Sequence, residues 1–132
     1  MEKFDKFTVL GGRILIALIF VAGGAGKMAD GGLTTIPYME AMGLPGFLFW
    51  PTAIFELLAG LAIMVGYRTK LVAMLLAGFC LVTAIMAHAN FADQMQMTLF
   101  MKNVSMAGGF LLLMRFGAGE FSLDNKAAAS DA

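Results

Sequence analysis

The sequence predicts an all-α fold, an integral-membrane four-helix bundle with both its N and C termini in the cytoplasm. Three observations predict it. Hydrophobic residues make up 60% of the 132-residue chain and charged residues 14%, against about 45–50% and about 25% in soluble domains. A chain this short has too little interior to hide that much apolar surface. Four apolar stretches recur at lengths that cross a bilayer core as helices. The basic residues sort to one side of those stretches, which sets an orientation.

The spans follow in order within a single membrane domain, residues 1–132. The first is about residues 8–26 and contains RILIALIFVAGGAG. The mixed-charge start MEKFDKF and the three later spans make it a retained helix and not a cleaved signal. A long connection, Lys27–Phe47, carries an interfacial amphipathic segment at about 34–43, ended by Gly43-Leu44-Pro45-Gly46. The second span, about 48–66, has Pro51 in its first turn, where a missing N–H costs little. Gly66–Lys70 is short enough to make spans two and three an antiparallel hairpin. The third span is about 70–89 and the fourth about 98–116, and residues 122–132 read as a disordered polar tail. Helices are required because every backbone polar group must be satisfied inside lipid, and the runs lack the alternation of barrel strands.

Orientation comes from counting. Lys3, Lys6, Arg13, Arg68, Lys70, Arg115 and Lys126 fall on one side, and only Lys27 and Lys102 on the other. The first side is then cytoplasmic and the chain a multi-pass protein of a bacterial cytoplasmic (inner) membrane. Net charge is zero, so nothing favours a nucleic-acid partner. The lipid bilayer is the first partner, and other membrane subunits or a second copy the next.

Ionisable groups inside spans are costly and mark function by default. Span two places Glu56 roughly 12 Å below the outer edge, and span four places Lys102 and Asn103 about 6–8 Å below it, at 1.5 Å per residue. Lys27 and His88 lie near the outer ends of spans one and three. Small residues flank these positions at helical spacing, as Gly23 and Gly24 flank Lys27, and Ala59 and Gly60 flank Glu56. Such residues mark helix contact faces, which turns the polar groups inward. Lys27, Glu56, His88, Lys102 and Asn103 are therefore the candidate ligand-binding residues. Two lysines against one glutamate leave about one positive charge, which suits an anion, the electron-rich head of a quinone or a lipid headgroup. With a quinone, the lysines would stabilise developing negative charge and Glu56 would exchange protons.

Plainer readings compete. Glu56 could lock the bundle by pairing with Lys102 or Lys27, and Lys27 and His88 could snorkel to water. On the cytoplasmic side, Arg13 would snorkel or pair with Glu120, and Arg115 would anchor span four. Tyr38, Trp50 and Tyr67 read as interfacial belt residues. A single cysteine and a single histidine supply no disulfide framework, redox pair, bis-histidine haem or histidine zinc site. Twelve methionines raise a Cu(I) reading at Met95, Met97 and Met101, but thioethers also fill cores, and no metal site is expected.

The sequence resembles the DoxX family over nearly its whole length. The resemblance is carried by GRILIALIFVAGGAGKMAD at 12–30, Tyr38-Met-Glu-Ala-Met-Gly-Leu-Pro45, FELLAGLAIMVGYRTKLVAMLLAGF at 55–79, QMTLFMKNVSMAGGFLLL at 96–113 and GAGEFSLD at 117–124. It implies a small four-helix inner-membrane protein with recurrent polar positions at Arg13, Lys27, Glu56, Lys102 and Asn103, and a looser match at His88. It also implies a role as a small subunit or anchor in redox-linked membrane systems, with quinone as the cofactor to test. No catalytic residue and no self-sufficient enzyme motif are assigned. The alternatives are a purely structural accessory or assembly subunit and a small-molecule transporter. No evident inverted repeat supports the latter.

Overall fold

The computed structural model describes residues 2–88 and 90–131, so Ala89 and Ala132, at the ends of the expected third span and tail, lie outside the described residues. Four long helices carry the apolar stretches: α1 (Glu2–Asp30), α3 (Phe49–Val65), α4 (Thr69–Ala87) and α5 (Gln94–Phe116). Each is long and apolar enough to cross a membrane. Two short helices complete the chain, α2 (Thr35–Ala41) and α6 (Leu123–Asp131), and one 3-10 turn, Gly46–Leu48, leads into α3. No strand occurs among the described residues.

Packing is inverted relative to a soluble bundle. Leu15, Leu58, Ile85 and Leu112 are exposed, each by 60% or more, because lipid tails are as apolar as the side chains themselves. The interior uses small residues instead. Ala17, Ala59, Ala73, Ala77, Cys80 and Ala107 surround a few large groups, Phe20, Ile63, Leu76 and Phe110. The helices associate mainly as two pairs, α1 with α3 and α4 with α5, with α3 and α4 joined by the hairpin. Phe20 of α1 and Phe110 of α5 meet edge-on across the pairs at 5.5 Å between ring centres.

Gly24 explains the closeness of the first pair. A Cβ there would lie 2.8 Å from the Leu57 backbone nitrogen and 2.9 Å from the Ala53 carbonyl oxygen. Backbone atoms cannot swing away, so only glycine permits this approach. The approach brings Lys27, three residues after Gly24, beside Glu56.

The end that carries Arg13 is tied by polar contacts the sequence reading does not anticipate. Arg13 is 1% exposed and neither snorkels nor pairs with Glu120. Its guanidinium donates to the carbonyls of Ala118 (2.8 Å), Met64 (3.1 Å) and Phe121 (2.8 Å). Glu120 instead pairs with Lys6 at 3.2 Å, which puts the two ends of the chain on the same side. Gly66 turns the hairpin with φ 73°, and a Cβ on it would strike Ser122 and the Arg13 guanidinium.

Residues after Phe121, expected as a disordered tail, carry α6, and its first turn docks on the hairpin. Asp124 donates its N–H to the Gly66 carbonyl (2.9 Å). Its carboxylate accepts from the backbone N–H groups of Arg68 (2.6 Å) and Thr69 (2.8 Å). It thereby caps α4 from 55 residues away, and the N-terminal dipole of that helix favours the charge. Burial alone would raise the Asp124 pKa. The bonds from Thr69 and Arg68 and the charge of Arg13 outweigh it and hold the carboxyl below its usual range.

Candidate functional site

The other end of the bundle holds a cavity of about 670 Å³ between the two helix pairs. Lys27 arrives on α1, Glu56 on α3, His88 just past α4, and Lys102 and Asn103 on α5. All five line the cavity, so the residues expected to share the outer half of one bundle share one space.

Their partners differ. The Lys27 ammonium donates to both Glu56 carboxylate oxygens, at 2.8 and 2.9 Å. Of the two partners offered by the sequence, Glu56 takes Lys27 and leaves Lys102 aside. The Glu56 side chain is 9% exposed and that of Lys27 30%, so the carboxylate is the member more completely removed from solvent. Lys102 has no carboxylate within ion-pair distance among the described residues. It shares the cavity wall with Cys80, a buried thiol.

Lys102 sits two turns into a helix that starts earlier than expected. Helix α5 begins at Gln94 and not near residue 98, because Asp93 caps it by accepting from the Met95 N–H at 3.0 Å. Eight residues of helix then put Lys102 about 12 Å along the axis from its start. Asn103 is buried and donates to the Thr83 hydroxyl of α4 at 3.0 Å. Thr83 in turn donates its hydroxyl to the Phe79 carbonyl at 2.8 Å.

Helix α2 contributes to one end of the cavity through Thr35, Tyr38 and Met39. It has no buried residues of its own, so it is held by contacts at its edges. One is polar. Gln96 donates its amide to the Tyr38 hydroxyl at 2.9 Å, and its amide oxygen lies 3.0 Å from His88 Nδ1. The Tyr38 hydroxyl lies 3.3 Å from the same nitrogen. Tyr38 is thus part of a polar link across three segments and not a simple belt residue.

Sequence reasoning missed Tyr38 in this role, and also Gln96, Thr83 and Cys80. Gln96 gave no signal of its own, since it stands in a polar stretch with Asn90, Asp93 and Gln94. Thr83 and Cys80 carry no such signal, because both suit an apolar helix. Arg115 sits in the last turn of α5, at the opposite end, with its guanidinium 5.1 Å from the centre of the Phe116 ring. Met95, Met97 and Met101 are each at least 40% exposed, and the methionines that line the cavity are Met39, Met86 and Met106.

The arrangement can hold an amphiphile. One side offers an ammonium, an amide and a closed ion pair, while Ile19, Phe20, Phe79, Val82 and Met106 supply apolar wall. The volume falls within the ordinary range of small-molecule sites.

Comparison with known proteins agrees with the architecture. The DoxX family model matches residues 8–89. The chain is 44% identical to inner membrane protein YqjF of Escherichia coli (strain K12), covering 94% of this chain and 95% of that protein. It is 36% identical to inner membrane protein YphA of the same organism, covering 86% of each. No solved structure matches. Four membrane-crossing helices and these relatives place the chain in the inner membrane, and it belongs to the DoxX family.

Proposed function

We propose that this protein is a ligand-binding subunit or anchor of a larger, redox-linked inner-membrane complex. Its cavity takes a small amphiphile by an electron-rich head, and the quinone headgroup is the class to test first. One observation carries the reading: five polar residues from four parts of the chain line a single cavity of about 670 Å³. Intramembrane charge is expensive and tends to be kept where it meets a ligand or ion. The basic residues favour an orientation with both termini cytoplasmic, which puts the cavity in the outer half of the membrane.

The test uses Trp50, the single tryptophan, which stacks edge-on against Phe49 of the cavity wall at 5.1 Å. Protein in lipid nanodiscs is titrated with a short-chain ubiquinone while Trp50 fluorescence is followed. The reading expects saturable quenching that weakens in Lys102→Met. Quenching that rises linearly and is unchanged in the variant contradicts it. Membership of a complex is tested separately by stoichiometric co-purification in mild detergent.

A second reading has one observation in its favour. The Lys27–Glu56 pair is closed on itself, as a purely structural lock would be. Complex assembly that survives Glu56→Gln, in a protein that binds no quinone or anion, favours that reading.

A further inference from the structure

We infer that the cavity ligand is a monoanionic, single-chain amphiphile whose head lies at Lys102 and Asn103 and whose chain lies along Phe20, Phe79 and Met106. This rests on the reading that the cavity holds a ligand, and it names the ligand's charge and shape. The charge ledger is simple. Lys27 and Glu56 cancel, since one ammonium binds both carboxylate oxygens. Lys102 remains, with no carboxylate within ion-pair distance among the described residues. It is an exposed residue on the cavity wall, about 12 Å along α5 from the helix start. An ammonium in a membrane-crossing helix needs a counter-charge or a route to water.

The cavity offers the place for one. Asn103 lines the same space next in sequence, and Cys80 of the opposing α4 lines it as well. One uncompensated positive charge matches one negative charge. A dianionic head would leave an excess charge in a region of low dielectric. The apolar residues on the remaining wall ask for a hydrocarbon chain, since a small hydrated anion would leave them facing water. The shared chemistry is therefore a single ionised oxygen acid on a chain. That is the chemistry of a free fatty acid in the membrane, and a soluble anion without the chain serves as the control.

Protein in nanodiscs, and empty nanodiscs as blank, are equilibrated with radiolabelled dodecanoate, dodecanol or acetate at neutral pH, and retained label is counted. Dodecanoate is expected to bind at least about tenfold more tightly than dodecanol, which is one decade of discrimination from one charge contact. Acetate is expected not to be retained. Lys102→Met should bring dodecanoate down to the level of dodecanol, and Lys102→Arg should restore the preference, which shows that the fold is intact. Equal binding of dodecanoate and dodecanol, or a preference that survives Lys102→Met, overturns the anionic head while leaving the cavity as a binding site. Acetate binding as well as dodecanoate overturns the chain. Retention of none of the three overturns this inference, while the ligand-binding reading itself stands or falls on the ubiquinone titration.

Discussion

Removing the two members of the Lys27–Glu56 pair one at a time should have unequal effects. Lys27→Met strands a carboxylate whose side chain is 9% exposed, while Glu56→Gln strands an ammonium whose side chain is 30% exposed. Breaking a buried pair by deleting one partner costs about 3–5 kcal/mol, and Lys27→Met falls in that range. The partly exposed ammonium can turn toward the headgroup region, which screens it, so Glu56→Gln falls to about 1–2 kcal/mol. The double variant leaves no stranded charge, and neutral side chains of similar volume replace such pairs at modest cost. It should therefore be more stable than Lys27→Met alone, giving a coupling of about 2 kcal/mol or more. The assay is thermal unfolding in one detergent, followed by Trp50 fluorescence. At roughly 3–5 °C per kcal/mol for a chain of this size, Lys27→Met should melt about 10–20 °C below the parent. Equal losses in the two single variants, or a double variant that simply sums them, would refute the reasoning.

Three further outcomes follow from particular contacts. Gly24→Ala should cost about 1–3 kcal/mol, because the new Cβ meets backbone that cannot move. Gly26→Ala, where nothing lies within 4 Å, should be neutral or stabilising by up to about 1 kcal/mol in the same melting assay. Asp124→Ala should cost about 1 kcal/mol at neutral pH through the lost α4 cap. The folded carboxyl titrates below its unfolded value, so its stabilisation is present above about pH 4 and fades as pH falls through the folded pKa. Melts of parent and variant should converge in acid. Tyr38→Phe removes the hydroxyl that accepts from Gln96, which should loosen α2 and speed labelling of Cys80 by a water-soluble methanethiosulfonate. An unchanged labelling rate would show that this link does not close the cavity.

The fold and the site were legible in the sequence to different depths. The four spans follow from hydropathy and length, because lipid permits so few alternatives for the backbone. The lining residues Lys27, Glu56, His88, Lys102 and Asn103 were legible because charge and amide groups are rare enough in such helices to stand out. Partner choice was not. Whether Glu56 meets Lys27 or Lys102 depends on how closely α1 approaches α3, and that turns on the backbone contact at Gly24. Arg13 was misread for a related reason. Its partners are main-chain carbonyls 51 to 108 residues away, and carbonyls carry no mark in a sequence. The C-terminal helix escaped notice because the Asp124 cap joins residues 55 and 56 positions apart, beyond any local capping pattern.

The most direct test of the central claim is the occupancy of the cavity in protein taken from its own membrane. The protein and its Lys102→Met variant are purified in mild detergent, and bound small molecules are extracted and weighed by mass spectrometry. The account predicts an amphiphile near one per chain in the parent and its loss from the variant, with both proteins folded. Parent and variant carrying the same molecules in the same amounts, or neither carrying any above the detergent and bulk-lipid background, would contradict it.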